Sequence, residues 1–237
     1  WKLCSKNIHL ITCPSKELKN QLKNLDIFEN KKIVVLYDSV INIKEVNNQK
    51  NDLLSDDIIK SNYFLAIGRL TKQKNFNLLI SAFYEFNKIN NNYKLLIIGE
   101  GEENKKIINR INHLKLEHKI ILLGFKQNVY KYLKNSKAFI LSSLWEEMGF
   151  VIIEAASCNT LIISSDCPNG PSEFLEYGKA GYLFNNNSVN DLVQNLIKFD
   201  RDEKNIKYNK ILQAKKNVKK FTIFNHYKEL KKILDNK

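Results

Sequence analysis

Apolar positions along the chain follow two alternating periods. Short, largely apolar runs rich in Ile, Val and Leu occupy residues 8–12, 32–36, 63–67, 94–98, 119–123, 138–141, 160–164 and 182–184. Runs of that length, bounded by glycine or polar residues, predict buried β-strands. Between them the period changes. Phe76, Leu79, Ile80, Phe83 and Phe86 recur at three- and four-residue spacing and share one helical face. Similar segments predict helices over 16–24, 103–113, 129–135, 149–158, 189–199, 205–218 and 224–234. Residues 47–61, with Asn-Asn, Asn-Asp and Asp-Asp steps, predict an irregular polar linker.

Apolar strands separated by helices imply an α/β fold with a parallel sheet covered on both faces. In such sheets ligands sit outside the carboxyl ends of the strands. Those ends here carry Gly68-Arg69, Gly99-Glu100-Gly101, Gly124-Phe125, the stretch from Ser142 to Trp145, and Ser165-Asp166. A glycine at a strand end often does no more than make the turn into the next helix. Three of them in succession point to a ligand that the backbone must approach closely.

Composition narrows the picture. The 237 residues are 43% hydrophobic, with only 8 glycines and 3 prolines, so most of the chain is expected to fold around a sizeable core. The formal net charge is +13. Nucleic acid is not the expected partner, because the lysines are spread out and no basic stripe with interleaved aromatics occurs. A weak attraction to an anionic membrane surface fits that charge better. Cys4, Cys13, Cys158 and Cys167 form no Cys-x-x-Cys pair and no metal-ligand spacing with histidine, which predicts free buried thiols. No apolar run reaches the roughly 18–20 residues that span a bilayer. The expected location is cytoplasmic, with room for peripheral attachment to the inner face of a membrane. The chain opens on Trp1 rather than Met, so a fragment of a longer protein is expected.

The stretch from Ser142 to Ala156 carries the most chemistry. Glu146 and Glu154 are separated by seven residues, the first in a loop after a strand, the second on the helix that Gly149 opens. Ile152, Ile153, Ala155 and Ala156 flank Glu154, and a carboxylate among packed residues needs hydrogen-bond donors, which sugar hydroxyls supply. The helix start at Gly149-Phe150 offers free N–H groups to a phosphate. A plain surface acid pair with a capping role is the competing reading of the spacing alone.

This stretch resembles the signature of the family 4 retaining glycosyltransferases, in which two glutamates seven residues apart flank a Gly-Phe step. The resemblance assigns Glu146 to the donor sugar, as the candidate catalytic residue, and Glu154 to the ribose hydroxyls. The segment from Gly68 to Asn75 resembles the family's Gly-Arg-Leu loop, with Arg69 and Lys74 as a clamp on the donor diphosphate. A guanidinium fork and an ammonium at a strand end suit that task. Gly99 and Gly124 match the backbone turns beside the nucleotide, and the segment from Gly170 to Glu173 matches a later Gly-Pro-x-Glu loop. No metal is implied.

The implied architecture is the C-terminal, Rossmann-like half of a GT-B fold plus the tail end of the N-terminal domain. Its divisions are an acceptor-side remnant at 1–46, a linker at 47–61, the nucleotide-sugar domain at 62–220 and a crossover helix at 221–237. The implied activity is transfer of a hexosyl or N-acetylhexosaminyl group, with UDP as the expected nucleotide. The acceptor would be a glycan or a polyprenyl-linked sugar of surface polysaccharide synthesis, and the fragment alone is expected to be inactive. An epimerase-like nucleotide-sugar enzyme of the same fold, or a non-catalytic binding or docking fragment, stays open.

Overall fold

A computed structural model of the protein describes residues 7–25, 28, 31–55, 58 and 61–235. Leu10–Cys13 (β1) and Lys32–Val35 (β2) pair in parallel, with Ile11 opposite Ile33. Between them runs Lys16–Lys23 (α1), started by Ser15, whose hydroxyl accepts from the Leu18 N–H at 3.1 Å.

The main sheet has six strands, all parallel: Asn62–Ile67 (β3), Tyr93–Ile98 (β4), Ile120–Leu122 (β5), Ala138–Leu141 (β6), Ile162–Ser165 (β7) and Tyr182–Phe184 (β8). Alternate residues of β3 explain why its sequence is apolar throughout. Phe64 and Ala66 enter one core with Phe76–Ile89 (α3), Asn104–His113 (α4) and Val189–Arg201 (α8). Tyr63 and Leu65 enter the other, with Tyr130–Asn135 (α5), Phe150–Ser157 (α6) and Lys204–Val218 (α9). Both faces are therefore covered, as the run of apolar residues predicts.

Strand order is β5-β4-β3-β6-β7-β8. The chain builds outward from β3 to β5, then returns to the other side of β3 as β6. That reversal leaves a crevice outside the carboxyl ends of β3 and β6, the usual ligand position in such sheets.

Two elements differ from the sequence expectation. Ile43–Gln49 (α2) is a helix that runs into the segment read as linker at residue 47. Asn42 caps it, accepting from the Lys44 and Glu45 N–H groups at 3.1 and 3.3 Å, and Val46 alone anchors it in the core. One buried residue gives no periodicity to read. A short helix, Pro171–Phe174 (α7), also stands in the loop after β7. Residues 56, 57, 59 and 60 of the expected linker, and Cys4, lie outside the described residues. Cys13, Cys158 and Cys167 are buried free thiols, as expected.

The closing helix, Ile223–Asp235 (α10), follows a turn that ties it back to the first sheet. The Val40 and Ile41 N–H groups each donate to the Phe221 carbonyl at 3.0 Å, and His226 Nδ1 lies 2.7 Å from the Tyr37 carbonyl.

Candidate active site

At the end of β3 the chain turns through Gly68 and Arg69 into a single 3-10 turn, Lys72–Lys74. The Lys74 stem packs over Gly68, 3.2 Å from where a Cβ would stand, so a side chain there would press it aside by a few tenths of an ångström. The next strand end is tighter. Gly99 sits at φ 140°, and a Cβ there would come 1.9 Å from the Gly68 carbonyl oxygen, so no other residue fits. Its N–H donates to the Gly124 carbonyl at 2.9 Å, which links the ends of β4 and β5.

Opposite lies the loop after β6. Ser143 and Glu146 are 0% and 7% exposed, whereas Glu147 is exposed. Glu146 Oε1 accepts from Lys74 Nζ at 2.5 Å and from the Ser143 hydroxyl at 2.5 Å. The two loops are also stitched by backbone. Leu144 N–H donates to the Gln73 carbonyl at 2.8 Å, Gln73 Nε2 donates to the Trp145 carbonyl at 2.8 Å, and the Ser142 hydroxyl donates to the Lys74 carbonyl at 2.7 Å. The β3 and β6 ends are thereby fixed as one unit.

Gly149, at φ 73°, opens α6 and lies beside Glu146, and Phe150 stands 44% exposed at the first helical position. Glu154 follows one turn on, half-buried. Burial, and secondarily the charge of Glu45 on α2, push its carboxyl up to about 7. The phenol of Tyr130, at the start of α5, is pushed up to about 12 by burial and by Glu154.

The structure thus joins Lys74 and Glu146 by a direct bond and sets Gly149 against them. Gly99 and Gly124 form a neighbouring corner. Arg69 is exposed and makes no side-chain bond among the described residues, and Glu154 faces Tyr130 and Glu45 rather than Lys74. None of the eight residues lines the cavity of about 550 Å³ that opens beside Met148, among Lys16, Tyr37, Glu173, Tyr177 and Lys179.

Sequence reasoning placed Ser143 and Ser165 at strand ends, Gln73 in the loop after Gly68 and Cys167 among the buried thiols, but gave none of them a role in the site. Two serines at each of the β6 and β7 ends were the available signal. The Cys167 thiol, next to Glu146 and Lys74, is pushed up to about 11 by burial, so it stands as a neutral neighbour and not as a nucleophile.

With this geometry in view, the sequence profile of glycosyl transferases group 1 matches residues 49–221. The chain belongs to that family. An uncharacterized glycosyltransferase of Methanocaldococcus jannaschii is 36% identical over 170 residues, covering 71% of this chain and 40% of the relative. The N-acetylgalactosamine-N,N'-diacetylbacillosaminyl-diphospho-undecaprenol 4-alpha-N-acetylgalactosaminyltransferase of Campylobacter jejuni is 32% identical over 193 residues, 79% of this chain and 51% of the relative. The chain therefore spans about half of such group 1 relatives or less.

Among solved structures, a TarM mutant of S. aureus in complex with Fondaparinux, alpha-GlcNAc-glycerol and UDP superposes with a TM-score of 0.79 at 23% identity. That match covers 99% of this chain and 45% of TarM. HepE of Anabaena, in complex with UDP and glucose, gives 0.80 at 17% identity, covering 99% and 65%. At those identities the likeness establishes the fold alone, which is Rossmann-like and of GT-B type.

Proposed function

We propose that the chain is the donor-binding part of a retaining glycosyltransferase that takes a hexosyl or N-acetylhexosaminyl group from a UDP-sugar. The acceptor is a glycan or polyprenyl-linked sugar of surface polysaccharide synthesis. The observation that carries this reading is the Lys74–Glu146 pair at the point where the strand order reverses. A cation and a carboxylate held together there suit a ligand that combines phosphate with hydroxyls. Two of the superposed structures contain UDP, and the Campylobacter relative is named for a diphospho-undecaprenol acceptor.

In this reading Arg69 and Lys74 hold the diphosphate and offset the charge that develops as it leaves, without a metal. Backbone N–H groups at Gly149-Phe150 add to that field. Glu146 accepts from the sugar hydroxyls and Glu154 from the ribose, while Gly99 and Gly124 let the backbone meet the base. Among the described residues no helix is long and apolar enough to cross a membrane. A cytoplasmic placement, with the +13 chain drawn to an anionic inner surface, belongs to the same proposal.

Thermal denaturation with UDP, GDP and their sugars tests it. A nucleotide at about 100 times its Kd stabilises by about 2.7 kcal/mol, or roughly 5–10 °C for a chain of this size. No shift with any nucleotide at millimolar concentration would overturn the reading.

A further inference from the structure

Lys74 faces two demands. In the free protein its ammonium is bonded to Glu146 Oε1. In the proposed complex the same ammonium turns to the donor diphosphate. A buried carboxylate that lost its only partner at that moment would have to move or take up a proton. Glu146 has a second partner. The Ser143 hydroxyl donates to the same Oε1 at 2.5 Å, from a side chain with no solvent exposure.

Ser143 is itself held from behind. The hydroxyl of Ser165, fully buried at the end of β7, donates to the Ser143 carbonyl at 2.7 Å. Both named donors meet on Oε1, and among the described residues nothing donates to Oε2. One oxygen is thus anchored to the sheet, and the other meets no donor among the described residues.

We propose that Ser143 is a positioning residue: it holds Glu146 Oε1 while Lys74 passes to the diphosphate, so that Oε2 stays presented to the donor sugar. The assignment of the ligand rests on the proposed function. The independence of Ser143 from Lys74 does not.

Two experiments separate them. The first needs no ligand: crystal structures of the Lys74→Ala chain and of the Lys74→Ala/Ser143→Ala chain. In the single variant Glu146 should keep its rotamer, with Oε1 within hydrogen-bond distance of Ser143 Oγ. In the double variant the carboxylate should be released. A Glu146 that swings away in Lys74→Ala, with Ser143 intact, overturns the proposal whether or not any nucleotide binds.

The second is calorimetry with UDP and UDP-N-acetylglucosamine as probes. Ser143→Ala should leave UDP affinity within about twofold and weaken the UDP-sugar by about tenfold, the loss expected from one charge-assisted contact. Ser143→Thr, which restores the hydroxyl, should recover most of it. A merely structural serine would weaken both probes alike, and that result overturns the proposal. Failure of the wild-type chain to bind any UDP or GDP compound would instead remove the proposed function and leave the crystallographic test to decide.

Discussion

The two glutamates of the candidate site have seven residues between them and meet opposite surroundings. Glu146, in the loop, is the more buried, yet its carboxylate is supplied by Lys74 and Ser143. Glu154, on α6, keeps partial exposure, has no donor to its carboxyl among the described residues, and shares its neighbourhood with Glu45. Burial, and secondarily the charge of Glu45, push its carboxyl up to about 7. The difference lies in the donors that meet each carboxyl: two for Glu146 and none for Glu154 among the described residues. Glu146 has one oxygen held before any ligand arrives, whereas neither carboxyl oxygen of Glu154 has a donor among the described residues.

Lys74→Ala breaks the comparison most forcefully, because it strips Glu146 of its counter-charge and removes the cation meant for phosphate. Nucleoside diphosphate binding should weaken by about 1.5–3 kcal/mol, with nucleoside binding unchanged. Calorimetry with UDP and uridine measures both. Equal losses for the two would remove Lys74 from the diphosphate.

Paired amide substitutions sharpen the contrast, since their effects on stability should have opposite signs. Glu146→Gln leaves the Lys74 ammonium without its partner and should destabilise the free chain by about 1–2 kcal/mol at pH 8. For Glu154 the folded-state value lies above the ordinary one, so its contribution to stability is present at low pH and lost as pH rises through about 7. Glu154→Gln should therefore stabilise the chain at pH 8, by roughly 1–2 kcal/mol, and do little at pH 5. Urea titrations at the two pH values read both. Destabilisation by Glu154→Gln at pH 8 would show that its carboxylate has a donor after all.

Much of this arrangement was legible beforehand, and the parts that were not have physical reasons. The β3 to β8 series shows in the sequence because strands buried on both faces must be apolar at every position, and because Gly99 admits no side chain. Lys74 and Glu146 could be named, but not their bond, since they lie 72 residues apart and meet only because β6 returns to β3. Ser143 looked like any serine at a strand end. Glu45 was invisible as a neighbour of Glu154, because the helix that carries it is held by Val46 alone and straddles the expected boundary between the 1–46 remnant and the 47–61 linker.

The smallest expected effect is a pH dependence confined to the Glu154 side. Ribose hydroxyls donate best to an ionised carboxylate, so nucleotide binding should favour that form and release a proton from Glu154. With titration near 7, roughly a tenth of the free sites are ionised at pH 6 and roughly nine-tenths at pH 8. Affinity for UDP should thus rise by up to about tenfold between those values. Tyr130, pushed up to about 12, and Cys158, pushed up to about 11, keep their protons throughout, so neither contributes. The diphosphate of UDP also titrates near this range, but it does so equally for wild type and for Glu154→Gln. The ratio of the two affinities isolates the glutamate: it should climb with pH, and the wild-type chain should release more buffer-corrected protons at pH 6.5. A ratio that stays flat from pH 6 to 8 would take Glu154 out of contact with the nucleotide and leave its raised carboxyl a matter of packing alone.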